Sequence, residues 1–271
     1  MLVMVPPDKV ELLRGAVDGR GGAVRFVDMT GIGRNPARII PAQAQFFAGQ
    51  PGRASVIGEP IWPGRDAEEL AECHRHESLI NFAFDHTSAR ILCPYDAVAL
   101  DRTVVADAWR SHPAVVDAAG QVTHSSAYAD PVQSAGRWDG PLPAPPPEAD
   151  VLAVDHRGLA PLRRLLRRHA ALASLDAGRT EDLVLAASEA ATNSIRHTHG
   201  PATLRVWRLP SALVCEITDT GRISDPLAGR RVPGADQEGQ RGLWLINQVC
   251  DLVQLRTTPG RTTIRMQIRT G

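Results

Sequence analysis

Two fold classes are legible in this chain: an α/β domain with a largely parallel sheet over residues 1–135, and an α+β two-layer domain over 151–271. Three observations predict them. In the first half, short β-branched apolar runs alternate with helical stretches, the pattern of strands joined by crossover helices. The second half changes to helix, helix, strand, strand, loop, helix, strand, strand, which predicts helices on one face of a mixed sheet. Between them, residues 136–150 form a linker with five prolines within 141–147. Such a run continues neither a helix nor a central strand and favours an extended spacer.

In chain order, LVMV, AVRFVD, ASVIGEP and ARILCPYD are the expected strands of the first domain. The expected helices are DKVELLRGAVDG, PARIIPAQAQFFAG and DAEELAECHRHESLINFAF. Asp66, followed by Glu68 and Glu69, offers an N-cap with an acidic first turn for the third helix. In the second domain Leu159–Leu172 places leucines at 159, 162, 165, 166 and 172 against an arginine-rich face, an amphipathic helix. Gly178 precedes a second helix, Thr180–His197, of mostly small apolar residues. Strands TLRVWRL and ALVCEITD turn at Pro210-Ser211, and LVQLRTT and TTIRMQI turn at Pro259-Gly260. A Gly- and Arg-rich loop and a helix over Gly242–Cys250 lie between the two pairs.

Composition removes several function classes. Thirty basic residues balance thirty acidic ones, so no global charge favours direct nucleic-acid binding or an anionic membrane. The four cysteines, Cys73, Cys93, Cys215 and Cys250, form no CxxC pair, which suits a reducing cytoplasm better than a disulfide framework or zinc knuckle. No apolar run approaches the roughly 18 residues of a membrane span. The start, MLVMVPPDKVELL, lacks a basic n-region and reads as a buried strand rather than a signal peptide. A cytoplasmic protein is the expectation.

Chemistry concentrates in the second domain. Glu189, Asn193 and His197 fall at i, i+4 and i+8 and share one helical face. An amide oxygen and a carboxylate one turn apart suit Mg2+ coordination and activation of a hydroxyl. A solvated helix face is the plain alternative. Asp219, at the end of an apolar strand in ITDTG, can accept a hydrogen bond from an adenine amino group, with Gly221 allowing close backbone approach. A strand-closing Asp-Xaa-Gly turn is the competing reading. Gly239-Gln-Arg-Gly242-Leu243 opens a helix whose N-terminal amides and dipole suit phosphate. Arg222, Arg230, Arg231 and Arg241 stud a loop of about twenty residues, a length more often functional than idle.

In that order, SEAATNSIRH, TDTG and GQRGLWLINQVCD with PGRTTIRM resemble the Bergerat (GHKL) ATP-binding fold, and within it the anti-sigma-factor serine/threonine kinases, the switch-kinase family. The resemblance covers roughly residues 155–270. It implies ATP and Mg2+ as cofactors, Asn193 as the Mg2+ ligand, Glu189 as the catalytic base and Asp219 as the adenine contact. It further implies Gly221, Gly239 and Gly242 as lid hinges, with Arg241 and Leu243 beside the nucleotide and Thr262 or Thr263 near the base. Ile223 stands where many relatives carry a further glycine. The partner it implies is a sigma factor or a STAS-domain anti-sigma antagonist, and homodimers are usual in the family.

VRFVDMTGIGRNPARIIPA, IGEPIWPGRDAEELAECHRHESLINFAF and ILCPYDAVAL are similar to the MEDS sensory domain over about residues 1–135, implying a small-molecule signal. Cys73, His76 and Glu77, with His74 nearby, have the i, i+3, i+4 spacing of metal ligands, although a polar helix edge explains them too. Glu59–Arg65 and Pro94-Tyr95-Asp96 follow strands and are candidate walls of a ligand crevice, or braces of their loops.

The leading expectation is a signalling regulator that phosphorylates or binds a sigma-factor control protein. A sensor histidine kinase is one alternative, since His156-Arg-Gly-Leu-Ala-Pro-Leu has the look of a phosphoacceptor box, though Asn193 follows His156 by only 37 positions. A non-catalytic, sigma-sequestering module is another.

Overall fold

The computed structural model describes residues 1–17, 24–50, 52–155, 158–198, 200–234 and 241–270. The chain divides into two units, Met1–Trp138 and Asp139–Gly271.

In the first unit, β1 (Leu2–Val5), α1 (Pro7–Val17), β2 (Arg25–Asp28), α2 (Met29–Ile32), α3 (Ile39–Ala48), β3 (Ser55–Gly58), α4 (Ala67–Phe84) and β4 (Arg90–Leu92) alternate as expected. The sheet order is β2-β1-β3-β4 and every pairing is parallel. All four residues of β1 are buried, which is why LVMV reads as a continuous apolar run: a central parallel strand is covered on both faces. Met4, Met29, Ile39 and Val56 form the core beneath it. Asp66 caps α4 through the Glu69 amide, and Glu69 returns the bond to the Asp66 amide, a complete capping box. Beyond the expected elements lie α5 (Arg102–Ser111), a hairpin of β5 (Ala114–Val116) and β6 (Val122–His124), and α6 (Pro131–Gly136).

The second unit adds β7 (Asp150–Val154) ahead of α7 (Leu159–Leu172), α8 (Ala177–His197), β8 (Ala202–Leu209), β9 (Ala212–Asp219), α9 (Arg241–Val249), β10 (Leu252–Thr258) and β11 (Arg261–Arg269). The strand order is β10-β11-β9-β8-β7, and all four pairings are antiparallel. The expected mixed sheet is therefore corrected. Two hairpins fix β8–β9 and β10–β11, and β11 returns beside β9 in the opposite sense. Helix α8 starts at Ala177 rather than after Gly178, because the Asp176 carboxylate accepts from the Arg179 amide.

One face of this sheet holds the core. Leu162 and Leu166 of α7 and Ala186, Ala187, Ala190 and Ala191 of α8 pack with Leu204, Cys215, Ile217, Ile264 and Met266 of the strands. Each buried leucine contributes roughly 1.5–3 kcal/mol. The alanines contribute less area but let the helix lie close to the strands. Helix α7 ends in a Schellman motif: Ser174 adopts φ 54°, its amide bonds the Ala171 carbonyl, and the Leu175 amide bonds that of Ala170. Arg179 then ties the start of α8 to the end of α9, donating to the Val249 carbonyl at 2.9 Å and to the Asp251 carboxylate.

The opposite face carries an unexpected polar layer. Glu216 and Arg265 pair across β9 and β11 at 2.7 Å, both almost wholly buried. The Arg265 guanidinium also donates to the Pro143 carbonyl at 2.6 Å and lies 5.0 Å from the Trp207 ring centroid. Arg256 donates to the Gly140 carbonyl at 3.2 Å. Two carbonyls of the proline-rich stretch are thus tied to the sheet, where the sequence alone suggests a free spacer. Main-chain carbonyls in a proline run have no ladder to join, so buried arginines are natural partners for them.

Removing one member of a buried pair leaves the other uncompensated, so Glu216→Ala should destabilise the second unit by about 3–5 kcal/mol. Glu216→Leu combined with Arg265→Met should recover much of that loss in urea unfolding. A separate substitution, Ser174→Gly, removes the penalty of a left-handed residue and should raise stability by up to about 1 kcal/mol.

Candidate functional site

Helix α8 carries the candidate residues because its other face is committed to the sheet. With Ala186, Ala187, Ala190 and Ala191 fully buried, Glu189 and Asn193 are left half-buried at the edge of the packing, while His197 in the last turn is exposed. A Cβ placed on Gly242 would lie 2.8 Å from the Asn193 amide nitrogen and 3.1 Å from a Glu189 carboxylate oxygen. The first turn of α9 therefore abuts the Glu189–Asn193 face with only backbone between them. Glycine is required there by space rather than by backbone angle. Among the described residues no side-chain hydrogen bond or ion pair engages Glu189 or Asn193, so the amide oxygen and the carboxylate are available.

Asp219 lies one strand end away and is held from two sides. The Gly221 amide donates to its Oδ1 at 2.7 Å, and the Ser194 hydroxyl donates to its Oδ2. Ser194 also donates toward the Ala190 carbonyl at 3.1 Å, so its hydroxyl is shared between helix and carboxylate. Thr262 donates to the Gly221 carbonyl at 2.8 Å and lies 3.1 Å from the Thr257 hydroxyl. Strand alternation then separates the two threonines. Thr262 pairs with Asp219 and shares its face, whereas Thr263 pairs with Thr218 on the opposite face. Thr263 is therefore corrected as a contact on the Asp219 side.

The lid expectation divides in two. Leu227 and Arg230 are buried, and Gly229 (φ 71°) packs on the Leu243 carbonyl while its own carbonyl accepts from Asn247 at 3.0 Å. This early part of the loop is folded onto α9. Arg231 approaches Asp225 at 3.7 Å, and Arg222 is exposed. Arg241 is exposed at the first residue of α9, and Leu243 is half-buried against the core. Gly239 and the His156 of the alternative histidine-kinase reading lie outside the described residues.

These positions can do four things together: accept from a base amino group at Asp219, hold a hard cation at the Asn193 oxygen, take a proton at Glu189, and meet an anion at the α9 opening. The chemistry of the donor set and the close fit at Gly242 suit a nucleotide with its metal ion. Sequence reasoning missed Ser194. Its neighbour Asn193 lies on the expected face, but nothing local marks a serine that reaches a strand 25 residues away.

In the first unit the candidates change. The Cys73 thiol points to the Pro60 carbonyl at 3.4 Å, and burial pushes its ionisation up to about 12. It does not join His76 and Glu77 as a ligand set. Among the described residues Glu77 groups instead with Cys93 and His112. The expected polar edge of α4 is also corrected, since Glu72 through Ser78 are all buried. Arg65 braces loops, donating to Pro60 and Gly33 carbonyls at 2.7 and 2.6 Å and lying 3.5 Å from the Trp62 ring centroid. Glu59 pairs with Lys9 at 2.5 Å, and burial still raises its carboxyl above the usual range.

Among the described residues no helix is long and apolar enough to cross a membrane. Residues 152–268 match the family described as the histidine kinase-like ATPase domain, and residues 1–113 match the family described as the methanogen/methylotroph, DcmR sensory domain (MEDS). No curated protein matches the chain. Among solved structures, a histidine kinase of Acinetobacter baumannii, AdeS, aligns over 45% of this chain and 68% of its own at 12% identity, with a TM-score of 0.27. An ATPase domain of this family implies ATP binding, generally with Mg2+. The chain carries an N-terminal MEDS sensory domain and a C-terminal histidine kinase-like ATPase domain, the combination of a signalling regulator.

Proposed function

We propose that the second unit is an Mg-ATP-dependent serine/threonine kinase of the anti-sigma type, acting on a STAS-domain antagonist or binding the sigma factor itself. One observation carries the reading: Glu189 and Asn193 lie against the backbone that opens α9 at Gly242, while Ser194 of the same helix fixes Asp219 at the sheet end.

In this reading Asp219 accepts from the adenine amino group, and Thr262 holds the Gly221 carbonyl so that the turn stays beside the base. The Asn193 oxygen is a ligand for Mg2+. Backbone amides at Gly242 and Leu243 would hold the phosphates, with Arg241 at the first residue of α9 beside them. Bound Mg-ATP supplies an electrophilic γ-phosphorus whose charge the metal offsets. Glu189 takes the proton of a partner serine or threonine hydroxyl as that oxygen attacks.

A histidine kinase would need a phosphoacceptor helix. All three described helices of this unit, α7, α8 and α9, contribute to packing on the sheet. That packing supports transfer to a partner as our reading.

Calorimetry should show one Mg-ATP site in the wild type. Asn193→Ala and Asp219→Ala should each weaken it by about tenfold or more, the scale of a lost bond to a charged group. Gly242→Ala should also lower affinity, because its methyl meets Asn193. Glu189→Gln should leave affinity within about threefold and reduce phosphate transfer to a STAS-domain substrate by about 100-fold or more. No Mg-ATP binding by folded wild type would overturn the kinase reading. Acid-labile self-labelling would replace it with a histidine kinase, and binding without any transfer would leave a sequestering module.

A further inference from the structure

The buried middle of α4 meets two other elements at one point. Glu77 comes from α4, Cys93 follows β4 directly, and His112 is the C-cap residue of α5. One ligand atom from each, a carboxylate oxygen, the thiol sulfur and a ring nitrogen, lies within 4.8 Å of the other two. Tetrahedral zinc distances place donor atoms about 3.3–3.8 Å apart, so modest side-chain adjustment brings these three to coordination. Their position at the carboxyl end of a parallel strand is where open α/β sheets place ligands.

Hydrogen bonding at His112 says what is missing between them. Its Nδ1 lies 2.9 Å from the Ala108 carbonyl, which only accepts, so Nδ1 carries the proton. Nε2 lies 2.9 Å from Glu77 Oε2: with both nitrogens protonated the ring is the cation of an ion pair with that carboxylate, and without the second proton it presents a bare lone pair to it. The two are too far off line for a hydrogen bond, and both Glu77 oxygens and the Tyr95 hydroxyl are likewise buried without an aligned partner. A fully buried carboxylate requires a cation beside it, and a metal ion held by Nε2 and the carboxylate can take the place of the imidazolium proton. An imidazole anchored through Nδ1–H to a main-chain carbonyl is also the usual way a ligating histidine is oriented.

We propose that Glu77, Cys93 and His112 form a three-ligand site for a divalent transition metal of the Zn2+ class, with a fourth coordination position open. Carboxylate, thiolate and imidazole together suit a borderline-soft ion rather than Mg2+ or Ca2+. On binding, the Cys93 thiol and the His112 imidazolium each lose a proton to solvent, and the sulfur and Nε2 coordinate beside the Glu77 carboxylate, which enters unchanged. The His112 side chain is 17% exposed, which gives the ion a route in and leaves the remaining position accessible to water or to a small donor molecule. Tyr95, with its ring edge-on to His112 at 5.8 Å, brings its hydroxyl to the Glu77 carboxylate. This site is independent of the nucleotide reading of the second unit.

The test is titration of chelator-treated full-length protein with Co2+ as a spectroscopic stand-in, followed by competition with Zn2+. One Co2+ per chain is expected, with visible bands of a four-coordinate ion and a near-ultraviolet thiolate-to-cobalt charge-transfer band, all displaced by Zn2+. Cys93→Ser should abolish the charge-transfer band, His112→Ala and Glu77→Gln should each weaken binding at least tenfold, and Cys73→Ser should change nothing. Added azide should shift the visible bands through the open position. The wild-type titration needs no variant to fold. Absence of stoichiometric Co2+ binding, a charge-transfer band that survives Cys93→Ser, or one that is lost in Cys73→Ser would overturn the proposal. Indifference to azide would overturn its open position.

Discussion

The second unit depends on how closely α8 lies on its sheet. A helix can approach strands to backbone distance only where its buried side is small, and four fully buried alanines supply that side. Close approach brings Ser194 within reach of Asp219 and turns Glu189 and Asn193 away from the core toward α9. The Arg179 clamp holds α9 in register by joining the main chain at Val249 to the carboxylate at Asp251. Enlarging any of the alanines would move the polar residues as a group, so the packing and the site cannot be varied separately.

Much of this was legible in the sequence for a physical reason. Local signals such as the Asp66 cap, the leucine periodicity of α7, the β-branched runs and the Pro-Gly turn depend on neighbours in the chain, and the elements they predict are present. Glu189 and Asn193 were legible because helical spacing alone places them on one face. Ser194, the Glu216–Arg265 layer and the Glu77–Cys93–His112 group were not. Each joins elements far apart in sequence, and no spacing rule relates residues 77, 93 and 112. β7 was missed because its five residues follow a proline run that draws attention as a spacer. The spacing of Cys73 with His76 and Glu77 misled, because a helical pattern says which residues share a face but not what that face meets.

The two units handle buried polarity in different ways. On the far face of the second sheet, Glu216 and Arg265 satisfy each other, with a proline carbonyl and the Trp207 ring completing the arginine's surroundings. In the first unit the carboxylate of Glu77 meets the Cys93 thiol, the Tyr95 phenol and the His112 imidazole, with His76 close by. The first arrangement is closed and structural. The second is closed by histidine, whose proton a metal ion can replace.

The two bonds that hold Asp219 carry a further consequence under the proposed assignment. With the Gly221 amide and the Ser194 hydroxyl both donating to it, this carboxylate presents only lone pairs outward. A purine with an amino group at that position satisfies it. One with a carbonyl there sets acceptor against acceptor in a partly dewatered cleft, at a penalty of about 1–3 kcal/mol for the unpaired groups. Discrimination between the two purine bases would then be fixed in the apo protein by a serine that never touches the nucleotide.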